Sequence, residues 1–501
     1  MKKKIIGLLS FTAYSAVILI LILNHEYWFD EAQAWNIARD NDIAGIIGMI
    51  RYEGHPPLWH FVLKIFTSLG CSWQALGLVS WGVSVTAAAV VIFALPIKPY
   101  FKAAVLLSSG MLYINSVVSR VYCLVNLLVV LLAWLYPNRK KHPLLFGILV
   151  AMLANTHICM CGLVGIIGIF MLIDYFKDFK TNTAGQNVLN SFGLLIAGAG
   201  VVLLILPLLG SFNSNDFAVE KTYTVGGIVE SFITAPTEIV NFGCQSNLPA
   251  FPGLLFSIII QISMFIWFVF LRKKRRTFTI ALVFTLFYLV IVGVVWSAQP
   301  NRGALFIFSL AIICVMGREE QSASGEKENS SKSRIVEKFL KFDSQTEKSL
   351  SVLCAVMLAM TIPSGVKYAV DDLCGEFAPH KAAAEYIKEN IPEDALLVSS
   401  YDLYVALMTY LPERQIYSTL YNRFYTYCSH EFITESTDKD KFCKLAQTYD
   451  SIYYICAPYD KNWNMDLVYI NSNYIPFGLL YDQIAIYKAD LDAVANGLQI
   501  V

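Results

Sequence analysis

Residues 5–38 read "IIGLLSFTAYSAVILILILNHEYWFDEAQAWNIA", and they contain the junction on which the fold turns. A membrane-spanning helix needs about 20 apolar residues. The uncharged run that ends at Asn24 meets that length, and "MKKK" precedes it. No A-x-A cleavage site follows, so the run reads as a retained signal anchor. Within a few residues the chain then presents Asp30 and Glu31 side by side, among Tyr27, Trp28, Phe29 and Trp35. Adjacent carboxylates in a semi-apolar setting repel one another and resist desolvation, which is costly unless something uses them. The plainer reading is that they mark a helix N-terminus, where the dipole favours acids.

Composition places the rest of the chain in the same phase. Of 501 residues, 56% are hydrophobic and only 15% charged, and the mean hydropathy is +0.54. Soluble domains sit near 45–50% apolar and about 25% charged, so the chain reads as a membrane protein. The formal net charge is zero, but the basic residues are segregated. "MKKK", "IKPYFK", "NRKKH", "DYFKDFK" and "RKKRR" each lie between apolar runs. Such short clusters act as topology signals rather than nucleic-acid surfaces. The eleven cysteines follow no metal-ligand spacing, and Cys159 and Cys161 read as small packing residues.

Apolar runs predict about eleven spans, near 5–24, 76–96, 101–119, 121–136, 144–156, 158–174, 188–210, 252–271, 277–297, 302–316 and 349–367. The run from Leu144 to Ile173 would make one helix of about 45 Å, longer than a hydrocarbon core of about 30 Å. Basic segments also flank both of its ends, so a hairpin turning at "ANTH" is expected. With the N-terminus cytoplasmic, this arrangement puts every basic cluster on the cytoplasmic side. The opposite face then receives a first outer loop, 25–75, together with the Arg120 end of two spans, the "NTH" turn, the loop 211–251, and everything after about 368. Residues 317–348 are expected to form a cytoplasmic linker. "PPLWHFVLKIFTSLG" is too short to span and is expected to lie along the membrane surface.

From Pro379 helix and strand patterns alternate: "HKAAAEYIKENI", "ALLVSS", "DLYVALMTYL", "RQIYST", "DSIYYICAP". The expected architecture is an α-helical polytopic membrane domain over residues 1–370 and a small extracytoplasmic α/β domain over 371–501. That second domain carries no Gly-rich phosphate loop and no nucleophile elbow. A disulfide between Cys428 and Cys443 is compatible with the sequence and not decided by it.

Four polar features fall on the expected outer face. They are Asp30-Glu31; Glu53 and His55 in "YEGHPPLWH"; Arg120 and Tyr122 in "SRVY"; and His157 at the hairpin tip with Arg302 in "QPNRGALF". Each has a bland alternative: an interfacial anchor for the arginines, a helix cap for His157, a dipole partner for the acids. As a set they match one chemistry. When a sugar is carried on a polyprenyl phosphate, the leaving group is already a stabilised anion and needs no general acid. The phosphate needs cationic compensation, which interfacial arginines supply. The acceptor hydroxyl needs one carboxylate as general base. One base in a single displacement means inversion at the anomeric carbon.

On these residues the sequence resembles the GT-C glycosyltransferases, the group that includes protein O-mannosyltransferases and the aminoarabinose and galacturonic-acid lipid A transferases. The matching elements run in order over roughly the first 370 residues. "WFDEAQAW" follows the first span; "GHPPLWHFVLKIF" is similar to the family's H-P-P-L-Y-Y stretch, "SRVYCLVNLLVVLLAWL" to its R-x-Y span, and "ANTH" to its T-H turn. "NRGALFIFSL" resembles a later basic span start, although Gly303 replaces the bulky residue that often follows that arginine. The resemblance implies Asp30 as base, Glu31 as its neighbour, and Arg120, Tyr122 and Arg302 toward the donor phosphate and lipid, with Glu53, His55 and His157 in support. Some members hold a divalent metal at the acidic position and others work without one, so a metal at Asp30 and Glu31 stays open. The implied partners are a polyprenyl-phosphate-linked sugar, a cell-envelope acceptor and the bilayer of a cell membrane, with no nucleic acid. The alternatives are a transporter or flippase of lipid-linked sugars, or a non-catalytic envelope-glycan scaffold. A transporter usually carries charges within broken spans and repeated halves. Here the carboxylates lie outside the first span and no repeat is visible.

Overall fold

The computed structural model describes residues 2–53, 55–211, 225–244, 248–295, 298–317, 334–399, 405–429, 438–456, 465–471 and 483–489. The chain falls into two compact units: 1–20, 80–117 and 121–369 in the first, and 21–79, 118–120 and 370–501 in the second. The second unit therefore takes in the expected first loop and the Arg120 turn along with the C-terminal α/β segment.

The first unit is helical. It holds most of α1 (Lys2–Asn24), and α2 (Phe29–Asp40), α3 (Ile43–Glu53) and α4 (Leu58–Ser68) belong to the second unit. After α5 (Ala75–Ala89) the first unit continues with α6 (Pro99–Leu107), α7 (Tyr122–Leu135), α8 (Pro143–Ala154), α9 (Cys161–Asp178), α10 (Ala184–Ser211), α11 (Val225–Cys244), α12 (Ala250–Leu271), α13 (Arg275–Val290) and α14 (Pro300–Met316). Among the described residues seven helices are long and apolar enough to cross a membrane, and Tyr122–Asn138, Pro143–Ala154 and Pro300–Met316 are shorter apolar helices. α7 and α14 bury nearly every residue they contain. Helices that are apolar all round belong in the middle of a bundle.

Several expectations for this unit hold, and three need correction. The 144–173 run is a hairpin, with α8 ending at Ala154 and a short 3-10 turn, Ile158–Met160, leading into α9. The expected span 101–119 is not one helix. α6 stops at Leu107 and a single π-helical turn covers Gly110–Ile114. Polar groups break it: Ser108 Oγ donates back to the Val105 carbonyl at 2.7 Å and the Ser109 N–H donates to Thr361 Oγ1 at 3.0 Å. Such local bonds compete with the helical ladder. The expected loop 211–251 contains α11, whose interior Pro236 hides it from a propensity reading. The expected linker 317–348 is helical from Arg334 onward, in Arg334–Ala359, followed after Met360 and Thr361 by Ile362–Cys374; residues 318–333 lie outside the described residues.

The second unit is built on a six-stranded sheet of order β3-β2-β1-β4-β6-β5. β1 (Leu396–Ser399) pairs in parallel with β2 (Ile416–Ser418) and β4 (Ile452–Cys456). β3 (Arg423–Tyr425), β5 (Met465–Asn471) and β6 (Ile484–Ala489) are antiparallel to their neighbours. β1, β2 and β4 are buried throughout, as parallel strands covered on both faces must be. Leu396, Val398, Tyr417, Phe442, Ile452 and Tyr454 form the core on one face. Among the described residues no disulfide joins Cys428 to Cys443.

α2 is fastened to this sheet segment by amide side chains. Gln33 donates to the Cys428 carbonyl and accepts from the Cys428 N–H, both at 2.8 Å. Asn36 donates to the carbonyls of Thr426 at 2.9 Å and Val405 at 3.2 Å, and accepts from Thr409 Oγ1 at 3.1 Å. α4 lies beside α2 with Trp59, His60 and Leu63 buried and Ile65 and Leu69 exposed. That amphipathic pattern is the one expected for "PPLWHFVLKIFTSLG".

Candidate active site

The second unit brings Asp30, Glu31, His55 and Arg120 together. α2 starts at Phe29, so both acids sit in its first turn. Successive residues on a helix diverge by about 100°, and the two carboxylates take different surroundings. Asp30 stays partly open, its side chain 27% exposed, and its Oδ2 lies 2.5 Å from an Arg120 terminal nitrogen. The other end of the same guanidinium donates to His55 Nε2 at 3.3 Å. A guanidinium only donates, so His55 accepts through Nε2 and is neutral there. The Arg120 guanidinium also lies 5.8 Å from the ring centre of Trp28, within cation–π reach. One cation is thus held by a carboxylate, an imidazole and an indole face while remaining 12% exposed.

Glu31 is wholly buried. Its Oε1 accepts the Ser119 N–H at 2.5 Å and its Oε2 accepts the Trp28 N–H at 3.3 Å. His25 Nε2 lies 3.1 Å from Oε2, and His25 Nδ1 lies 2.9 Å from Asp372 Oδ2. Burial pushes the His25 imidazole toward neutrality, but the two flanking carboxylates outweigh it and lift the pKa to about 10. His60 behaves in the opposite way. Burial, with a smaller contribution from the Arg120 charge, lowers it to about 4, and neither ring nitrogen has a hydrogen-bond partner among the described residues.

These surroundings test the metal left open by the sequence. Glu31 already accepts three donors, and Asp30 pairs with a guanidinium through Oδ2, so the two acids do not present a shared pair of oxygens to a divalent cation. Among the described residues no group of three or more His, Cys, Asp or Glu side chains could hold one. The donor set does not fit a metal, and no step below runs through one.

Arg120 and Tyr122, two residues apart, fall in different units. In the first unit Tyr122 stacks obliquely on His157, with ring centres 5.2 Å apart. His157 Nδ1 accepts the Cys159 N–H at 3.2 Å and caps the 3-10 turn, as its bland reading anticipated. Arg302 is buried at the first turn of α14; the Tyr288 hydroxyl donates to its carbonyl at 2.6 Å, and its charge reaches Cys159. The glycine after it has a packing reason. A Cβ on Gly303 would stand 2.5 Å from the Gly243 nitrogen and from the Ile239 carbonyl oxygen of α11, so the glycine lets two helices touch. Glu53 ends α3, and its side chain lies outside the described residues.

Sequence reasoning missed His25, Asp372, His60 and Tyr288. His25 and His60 were in view as letters in quoted motifs. Asp372 had a usable signal, an acid just past an apolar run; Tyr288 sits inside an expected span, where only the need of a buried hydroxyl for a partner marks it.

No family model matches the sequence, and none of the curated proteins matches it. Solved structures do match. ArnT from Cupriavidus metallidurans bound to undecaprenyl phosphate aligns with a TM-score of 0.53 at 13% identity, covering 97% of this chain and 98% of ArnT. The apo state of the same protein aligns with a TM-score of 0.51 at 13% identity, covering 96% and 98%. The fold expected from the GT-C resemblance, with a polytopic helical part and a small C-terminal sheet segment, is the fold this chain shares with ArnT along nearly its whole length.

Proposed function

We propose that the chain is an inverting glycosyltransferase that moves a sugar from a polyprenyl-phosphate donor to a cell-envelope acceptor on the outer face of the membrane. The observation that carries this reading is the pairing of Asp30 with Arg120 just past the first span, partly open to solvent. The ArnT fold, seen in that protein with undecaprenyl phosphate bound, supports a lipid phosphate as the donor's leaving group.

The acceptor oxygen attacks the anomeric carbon, and its proton passes to Asp30. The bond from that carbon to the phosphate oxygen breaks, and polyprenyl phosphate leaves as an anion compensated by Arg120. Attack and departure on opposite faces invert the configuration. The guanidinium has a second task in the free protein. It holds the Asp30 carboxylate in an ion pair. An arriving phosphate competes for the same nitrogens, and as Arg120 turns to it the Asp30 carboxylate is released to take the acceptor's proton with the donor in place. His55 and Trp28 keep the guanidinium near while its partners change. Arg302 and Tyr122 are assigned to the donor lipid on the family pattern.

The test is to offer purified protein several polyprenyl-phosphate sugars and follow loss of the lipid-linked sugar. Donor consumption with an inverted product supports the reading. Lipid movement across vesicles without any covalent product would make the chain a transporter instead.

A further inference from the structure

Asp30 and Glu31 are adjacent, and so are Ser119 and Arg120, and the two pairs face one another. The Asp30 carboxylate binds the Arg120 guanidinium, and the Glu31 carboxylate binds the backbone N–H of Ser119. Glu31 therefore fixes the Val118–Ser119 peptide, one residue before the backbone from which the guanidinium springs. What fixes Glu31 is a histidine with a carboxylate on each ring nitrogen. His25 Nε2 meets Glu31 and Nδ1 meets Asp372. Both contacts are donor bonds only if the ring carries two protons, so the group is an imidazolium between two anions. It is completely buried, and the Phe377 ring lies 4.4 Å away. Buried ion pairs return little stability for their desolvation cost, because apolar groups of the same shape do as well; their best-attested use is to set register.

We infer that Glu31, His25 and Asp372 form a buried ion triad that positions Arg120 against Asp30, tying the donor-phosphate cation to the helix Ile362–Cys374. None of the three touches the reacting atoms in this account; they are positioning residues. The inference rests on the proposed function for its consequence in catalysis, though the geometry it describes does not. It also gives Glu31 a task other than holding metal or acceptor. A shift of about 1 Å in a reacting group costs on the order of 10²-fold in rate. Asp372→Asn and His25→Gln, which leave Asp30 and Arg120 in place, are therefore expected to lower kcat/KM for the lipid donor by about 10- to 100-fold.

The deciding experiment is a double-mutant cycle between Asp372→Asn and Arg120→Lys. It is read in sugar transfer, in undecaprenyl-phosphate binding and in melting temperature. Because both changes act on one guanidinium, the double variant should fall no further than the worse single variant in transfer and in lipid binding, while melting temperature checks only that each variant folds. Losses that multiply in either readout would overturn the triad's positioning role. Lipid binding needs no transfer, so it decides the inference even if the parent transfers no sugar, and a parent that binds no undecaprenyl phosphate would overturn it together with the proposed function. A parent that binds lipid, transfers nothing and still shows coupled binding would remove the transferase reading and leave the triad standing. His25→Gln is the second variant, and should its yield collapse, Asp372→Asn carries the cycle alone.

Discussion

The two acids after the first helix differ by one position and by their whole environment. Asp30 is partly open and paired with the Arg120 guanidinium; Glu31 is sealed and saturated. Sequence could show that the pair was expensive. It could not show how the cost is met, because the partners, His25 apart, lie about ninety residues away at Ser119 and Arg120 and further still at Asp372. At Arg120 the account expects Arg120→Ala to weaken donor use more than Arg120→Lys, since lysine keeps charge and loses the planar fork. Donor kinetics unchanged in both variants would return Arg120 to the role of interfacial anchor. His25 gives a pH signature. Its folded pKa of about 10 stands above the ordinary 6.5, so its stabilising contribution is full below about 6.5 and is lost as pH rises through about 10. The melting temperature of the purified protein should decline over that window, and the decline should be shallower in His25→Gln. An unchanged slope would mean the imidazole does not carry the second proton.

Elements were legible wherever hydrophobic length and charge agreed. The hairpin at "ANTH" and the short amphipathic α4 follow from basic flanks and from a run too short to span. The broken segment after α6 and the helix α11 were not legible, since serine back-bonding and an interior proline act against the pattern that a window of residues reports. Nor could sequence foresee that α2 joins the sheet segment through Gln33 and Asn36. Gln33→Ala removes the amide that bonds both backbone groups of buried Cys428 and should cost about 1–3 kcal/mol, measurable by denaturant or thermal unfolding. A neutral result would mean that water replaces the amide. At the α11–α14 contact, placing a bulky residue after Arg302 with Gly303→Leu should be harmful, because its Cβ enters the Gly243 backbone. Overpacking typically costs 1–3 kcal/mol, and a clear fall in melting temperature is the expected reading.

For the whole chain, composition was enough to place it in a membrane, and the ordered motifs pointed to the fold it shares with ArnT. The grouping of residues 21–79 and 118–120 with the C-terminal segment escaped sequence reading because it depends on contacts remote along the chain. The proposed orientation puts the loops 137–143 and 272–276 in the cytoplasm, and the first loop and the region past 370 outside. A cysteine introduced at position 480 should then react with an impermeant probe in intact cells; reaction only after permeabilisation would reverse the assigned face. The central claim, that Asp30 is the base of a sugar transfer, has a sharper test. Asp30→Asn keeps size and shape while removing the basic lone pair, and general-base catalysis contributes about 10²–10⁴-fold. In correctly inserted protein the account predicts a loss of transfer of that size with undecaprenyl-phosphate binding retained, whereas transfer within a few-fold of the parent would contradict it.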